Sequence, residues 1–80
     1  MREKRLFHVI GFATTTQAMA WEAYCKEENI PGRIIPLPEQ LSAGCGLAWR
    51  MTIEDWNNHS HMLNENSLKY ENDKDIVMYG

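Results

Sequence analysis

Arg33-Ile34-Ile35-Pro36-Leu37 and, past the connecting residues Pro38 to Gly44, Gly46-Leu47-Ala48-Trp49-Arg50-Met51-Thr52 are the stretches on which the fold turns. Both are rich in β-branched, aromatic and other apolar residues over the length of an ordinary strand. If Ile35 and Leu37 face inward together with Leu47 and Trp49, an antiparallel pairing sets Ile35 opposite Trp49 and Leu37 opposite Leu47, a mutually consistent register. Pro36 and Pro38 lack amide donors, so the first of the two strands belongs at a sheet edge. Cys45 falls where the connection runs into the second strand.

On the amino-terminal side, Leu6 to Phe12 reads as a strand and ends in Ala13-Thr14-Thr15-Thr16, a cluster of capping residues. Thr14-x-x-Gln17 fits a capping box, and Ala18, Trp21, Cys25 and then Glu28 or Asn29 recur on one face of a helix reaching about Asn29. Asn29 suits the left-handed position that ends a helix, Ile30 can fold back onto the last turn, and Pro31 blocks continuation. On the carboxyl-terminal side, Thr52-Ile53-Glu54-Asp55 is a second capping signature, with Ile53, Trp56 and Leu63 at helical spacing. That helix is weakened by Asn57, Asn58, His59 and Ser60 and ends in the polar run Asn64-Glu65-Asn66-Ser67. Ile76 to Tyr79 is the last strand. The order βαββαβ predicts an α+β, ferredoxin-like sandwich, an antiparallel sheet with two helices on one face.

The 80 residues make one domain, and chains this short bury only roughly 60% of the surface their unfolded form exposes, so a thin single-layer core is expected. Large substrates would be handled at a surface or with a partner. A net charge of -3 with mixed signs argues against nucleic acid, which needs a basic patch. The apolar runs are a handful of residues, far short of the roughly 20 that span a bilayer. The basic start Met1-Arg2-Glu3-Lys4-Arg5 is not followed by a signal-peptide apolar segment, which points to the cytoplasm. Two cysteines 20 positions apart are then expected to be reduced thiols.

Cys45 lies between Gly44 and Gly46, after a string of small residues, where its sulfur and backbone amides are left uncovered. Only the thiolate is a competent nucleophile or sulfur acceptor, and an unperturbed cysteine, with pKa about 8.5, is mostly protonated at neutral pH. The amides of Gly44, Cys45 and Gly46 could form an anion-binding nest that lowers it, as could the guanidinium of Arg33 or Arg50. In the register above Arg50 points to the face opposite Leu47 and Trp49, so the amides are favoured. The alternative is that the glycines merely permit a tight loop around an ordinary small residue.

Arg33-Ile34-Ile35-Pro36-Leu37-Pro38 followed by Cys45-Gly46-Leu47-Ala48-Trp49-Arg50 resembles the small bacterial selenium/sulfur carrier-like proteins, catalogued as domain of unknown function 3343. Their pattern is Ile-Pro, then Arg-x-Ile-Pro-x-Pro, a short loop, and Cys-Gly-Leu-Ala with a basic residue. Ile30-Pro31, Arg33, Ile35-Pro36, Pro38, Cys45, Gly46, Leu47, Ala48 and Arg50 match it. The resemblance implies that Cys45 carries sulfur or selenium as a persulfide or selenopersulfide. It would take the atom from a donor such as a cysteine-desulfurase-like enzyme and hand it to an acceptor protein, with no cofactor. The other readings are a small regulatory or ligand-binding module using the open sheet face or a homo-oligomer interface, and a thiol that senses oxidants as a sulfenic acid.

Other chemistry-bearing residues read more plainly. Cys25 lies on the inward stripe of the first helix and belongs to the core, a resolving thiol being its functional alternative. Arg33 and Arg50 could hold an anionic ligand on the open sheet face or simply be solvated. His59 and His61, two apart on a helix, point about 200° apart and do not face one metal ion. His8 shows no partner and reads as packing or edge. Trp21, Trp49 and Trp56 are core anchors.

Overall fold

Val9 and Ile10 are neighbours on the chain and both are fully buried, which a strand allows only when both its faces are covered. The strand that holds them, β1 (Lys4–Gly11), lies inside a four-stranded sheet with β2 (Arg33–Pro36), β3 (Leu47–Thr52) and β4 (Asn72–Tyr79), in the order β2-β3-β1-β4, in which every pairing is antiparallel. The computed structural model describes residues 3–65 and 68–80. Met1 and Arg2 of the basic start, and Asn66 and Ser67 of the polar run expected to end the second helix, lie outside the described residues. Along the chain β1 is followed by α1 (Thr15–Glu27), β2 (Arg33–Pro36), β3 (Leu47–Thr52), α2 (Ile53–Glu65) and β4 (Asn72–Tyr79), the ferredoxin-like α+β arrangement.

The caps form as the sequence predicts. Thr14 Oγ1 accepts from the Gln17 amide at 3.1 Å, while Gln17 Oε1 accepts from the amide of Ala13 at 3.0 Å, one residue before the cap. At the other end Asn29 has φ 56°. The amides of Asn29 and Ile30 donate to Lys26 and Cys25 carbonyls, the paired bonds of a Schellman motif, and Ile30 is buried. Thr52 Oγ1 accepts from the Asp55 amide at 3.1 Å and donates to the Asp55 carboxylate at 2.9 Å, opening α2.

Ala18, Trp21 and Cys25 of α1 and Leu63 of α2 meet Ile10, Phe12, Trp49 and Met51 on one face of the sheet. The opposite face is not bare. Phe7, Val9, Ala48 and Ile76 form a second buried cluster flanked by Ile35, Leu37 and Met78, and Leu41, from the loop between β2 and β3, closes over it. This second layer corrects the expected register by one residue. Ile34, not Ile35, stands opposite Trp49, and Ile35 stands opposite Ala48. A one-residue slip exchanges faces: Ile34 goes under the helices with Trp49, while Ile35 and Leu37 join the layer that the loop covers. Two apolar faces left the alternation of Ile34 and Ile35 without a polar marker to choose between them.

β4 is also longer than Ile76 to Tyr79. Its polar first half, Asn72 to Asp75, pairs with His8 to Gly11. His8 is the reason: Nδ1 lies 2.6 Å from Asp75 Oδ1 and Nε2 2.9 Å from Asp73 Oδ2, and the ring stacks on Trp56 with centroids 4.0 Å apart. Far from lacking partners, His8 is a buried polar anchor that ties the charged end of β4 to β1 and to α2.

If both layers support the fold, Trp21→Ala should cost about 3–5 kcal/mol and the loop substitution Leu41→Ala about 2–4 kcal/mol, both being large-to-small truncations at closed sites. Met19→Ala, at a helix position 64% exposed, should change stability by less than about 0.5 kcal/mol. Urea melts of the three variants check this, and a loop substitution as mild as Met19→Ala would show that the second layer contributes nothing.

Candidate functional site

The loop that covers the second face has to return to the sheet, and Cys45 is the point of return. Three neighbouring segments hold it there. The Cys45 amide donates to the Phe12 carbonyl at 3.2 Å, the Gly44 amide to the Glu71 carboxylate at 2.8 Å, and the Leu37 amide to the Gly46 carbonyl at 3.0 Å. The Asn72 side-chain amide donates to the Ser42 carbonyl. Both glycines are required by this path. A Cβ on Gly44 would lie 2.8 Å from the Ala13 carbonyl oxygen, and Gly46 has φ 73° with open space where its side chain would be, a backbone state costly for any residue with a Cβ.

Cys45 is a free, partly exposed thiol that rests against the helix-side core. The Leu47 amide donates to its Sγ at 3.4 Å, and Sγ–H reaches the Leu47 carbonyl at 3.6 Å. The amide directed at the sulfur is therefore one position beyond the glycine-flanked trio. The amides of Gly44 and Cys45 are committed to Glu71 and Phe12, so they do not form a vacant nest. Cys25 is the opposite case: it has no exposed surface, and burial pushes its thiol up to about 12 from the usual 9.0.

Gly44, Cys45 and Gly46 thus sit together at one end of β3, whereas Arg33 and Arg50 sit together elsewhere, as cross-strand partners on β2 and β3. Arg50 lies three residues beyond Leu47, about 10 Å along the strand and on the other face of the sheet. Neither guanidinium belongs to the thiol's surroundings. His61 pairs with Glu65 at 3.0 Å on the surface of α2. Among the described residues no group of three or more His, Cys, Asp or Glu side chains is placed to hold a metal ion, and no helix is long and apolar enough to cross a membrane.

Sequence reasoning missed Glu71 and the Leu47 amide at the thiol, and Asp73, Asp75 and Trp56 around His8. Glu71 acts on Gly44 across 27 positions, a separation that no local pattern reveals. Asp73-x-Asp75 did carry a signal, since two carboxylates at a spacing of two lie on one face of a strand and need a partner there.

Cys45 is thus a partly exposed thiol held by backbone contacts on a small α+β domain. The family described as "Putative Se/S carrier protein-like" matches residues 7–72 of this chain, and the chain belongs to that family. No curated protein and no solved structure matches it significantly.

Alkylation of the native protein at neutral pH should modify Cys45 and leave Cys25 unmodified until the chain unfolds; prior labelling of Cys25 would contradict the assignment. The buried thiol also sets a pH dependence. Its proton is held more tightly in the folded than in the unfolded chain, so its share of stability is full below the unfolded value near 9.0 and is lost as pH rises toward about 12. Denaturant midpoints over that range should fall more steeply in the native chain than in Cys25→Ala.

Proposed function

We propose that Cys45 carries sulfur or selenium, as a persulfide or selenopersulfide, from a donor protein to an acceptor protein. The observation that carries this reading is the contrast between the two thiols: Cys45 is partly exposed and touched by an amide donor, while Cys25 is sealed. Membership of the carrier-like family supports it. The loop path through Gly44 and Gly46, and not a nearby guanidinium, presents the sulfur.

The chemistry needs no external oxidant or reductant. The Cys45 thiolate attacks the terminal sulfur of a donor persulfide, a new S–S bond forms at Cys45, and the donor cysteine leaves as its own thiolate. With a terminal selenium the same exchange yields Cys45–S–Se⁻. Discharge repeats the step with Cys45 as the leaving thiolate. Such a protein is a carrier without cofactor or turnover of its own. Its thiol must stay reduced between rounds, which suits the cytoplasm.

Incubation of the reduced protein with a cysteine desulfurase or selenocysteine lyase and its substrate should add one sulfur or selenium atom to the intact mass, removable by reductant. The adduct should map to Cys45, vanish in Cys45→Ser and survive in Cys25→Ser. Cys45→Ser should remain folded, since a partly exposed residue at a strand entry contributes little apolar burial. No adduct under conditions that load another acceptor thiol would overturn the reading, and an adduct on Cys25 would move the site.

A further inference from the structure

Arg33 and Arg50 stand directly opposite each other on neighbouring strands, an arrangement of like charges that destabilises a sheet unless something offsets it. Among the described residues neither forms an ion pair with a carboxylate of the chain. Arg50 is fixed nonetheless. Its guanidinium lies 4.3 Å from the centroid of the Phe7 ring, and Nη1 donates to the Tyr79 carbonyl at 3.1 Å. That leaves four of the five guanidinium N–H groups for other acceptors. Burial first, and the Arg33 charge second, lower the Arg50 pKa, as expected where two cations share a partly desolvated site.

Beside them is a cavity of about 290 Å³, bordered by Phe7, Pro31, Arg33, Arg50, Met51 and Asp55 among others. Its size, near the lower bound for small-molecule sites, suits a ligand of modest bulk. The charges narrow the class further. Two guanidiniums against the single carboxylate of Asp55 leave one positive charge, which a monoanion neutralises and a dianion exceeds. Phe7 and Pro31 offer apolar surface, which favours an organic body over a bare inorganic ion. A carboxylate also matches the planar fork of a guanidinium.

We propose that the cavity between Arg33, Arg50 and Phe7 binds a small monocarboxylate, its carboxylate against the two guanidiniums and its apolar body against Phe7 and Pro31. Arg33 and Arg50 are on the sheet face opposite Leu47, so the site does not depend on the thiol or on sulfur carriage.

Benzoate is a suitable probe, titrated into the full-length isotope-labelled protein while backbone amide resonances are followed. Saturable shifts should centre on Gly32, Arg33, Met51 and Thr52, and be the same in Cys45→Ser. Arg33→Gln, at an exposed position, should weaken binding about tenfold or more, as loss of a charge-assisted hydrogen bond does, and Arg50→Gln at least as much. Benzyl alcohol, of similar shape without the charge, should leave those resonances in place. The proposal fails if benzoate does not shift them, if Arg33→Gln binds it unchanged, or if benzyl alcohol binds equally well. Inorganic phosphate binding as tightly as benzoate would overturn the ligand class.

Discussion

The constraint on which the structure depends is that β1 is apolar on both faces. Val9 and Ile10 point opposite ways and neither has any exposed surface, so each face of the sheet must be covered. Helices cover one face, as ridged apolar stripes do in two-layer α+β domains. Among the described residues no helix is left for the other, and the β2–β3 connection takes that role by bringing Leu41 into the cluster of Phe7, Val9, Ala48 and Ile76. A connection that crosses a sheet face must then come back over the strand ends. There it needs residues without side chains, and Gly44 and Gly46 supply them. The accessible thiol is in this sense a by-product of the second layer: Cys45 lies between the two glycines that the return path demands.

Much of this was legible where local rules act alone. Thr14, Asn29 and Thr52 each cap a helix as their neighbours indicate, because a cap is decided within four or five residues. Glycines on both sides of Cys45 marked the loop for the same reason. The register of β2 on β3 was not legible. Its assignment assumed one apolar face, and Ile34-Ile35 fits either face once both are buried. The polar half of β4 escaped because Asn72 to Asp75 lacks apolar alternation; what holds it is a buried imidazole 65 and 67 positions away. Likewise the partner of the Gly44 amide is a carboxylate from the far end of the chain. Long-range polar contacts fix these details, and they leave little periodic trace.

The two candidate chemistries are kept apart by the sheet itself. Side chains alternate between faces, so Leu47, whose amide touches the thiol, and Arg50, three residues on, cannot serve one small ligand. The arginines that seemed available to stabilise a thiolate are thereby free for an anion of their own. The thiol sits where the loop enters β3 and the arginine pair lies farther along the strand, so neither site needs a deep pocket. His8, by contrast, is best understood as structure: its ring satisfies two carboxylates and stacks on Trp56, joining three elements with one side chain.

The central claim is that Cys45 not only receives a sulfur atom but gives it up. Its most direct test is discharge. Protein loaded with radiolabelled sulfur and separated from the donor enzyme would be mixed with excess glutathione under anaerobic conditions, and the products trapped by alkylation at short times. The account predicts that label appears first as glutathione persulfide while Cys45 returns to a free thiol. Label that stays on Cys45, or leaves only as inorganic sulfide, would contradict it.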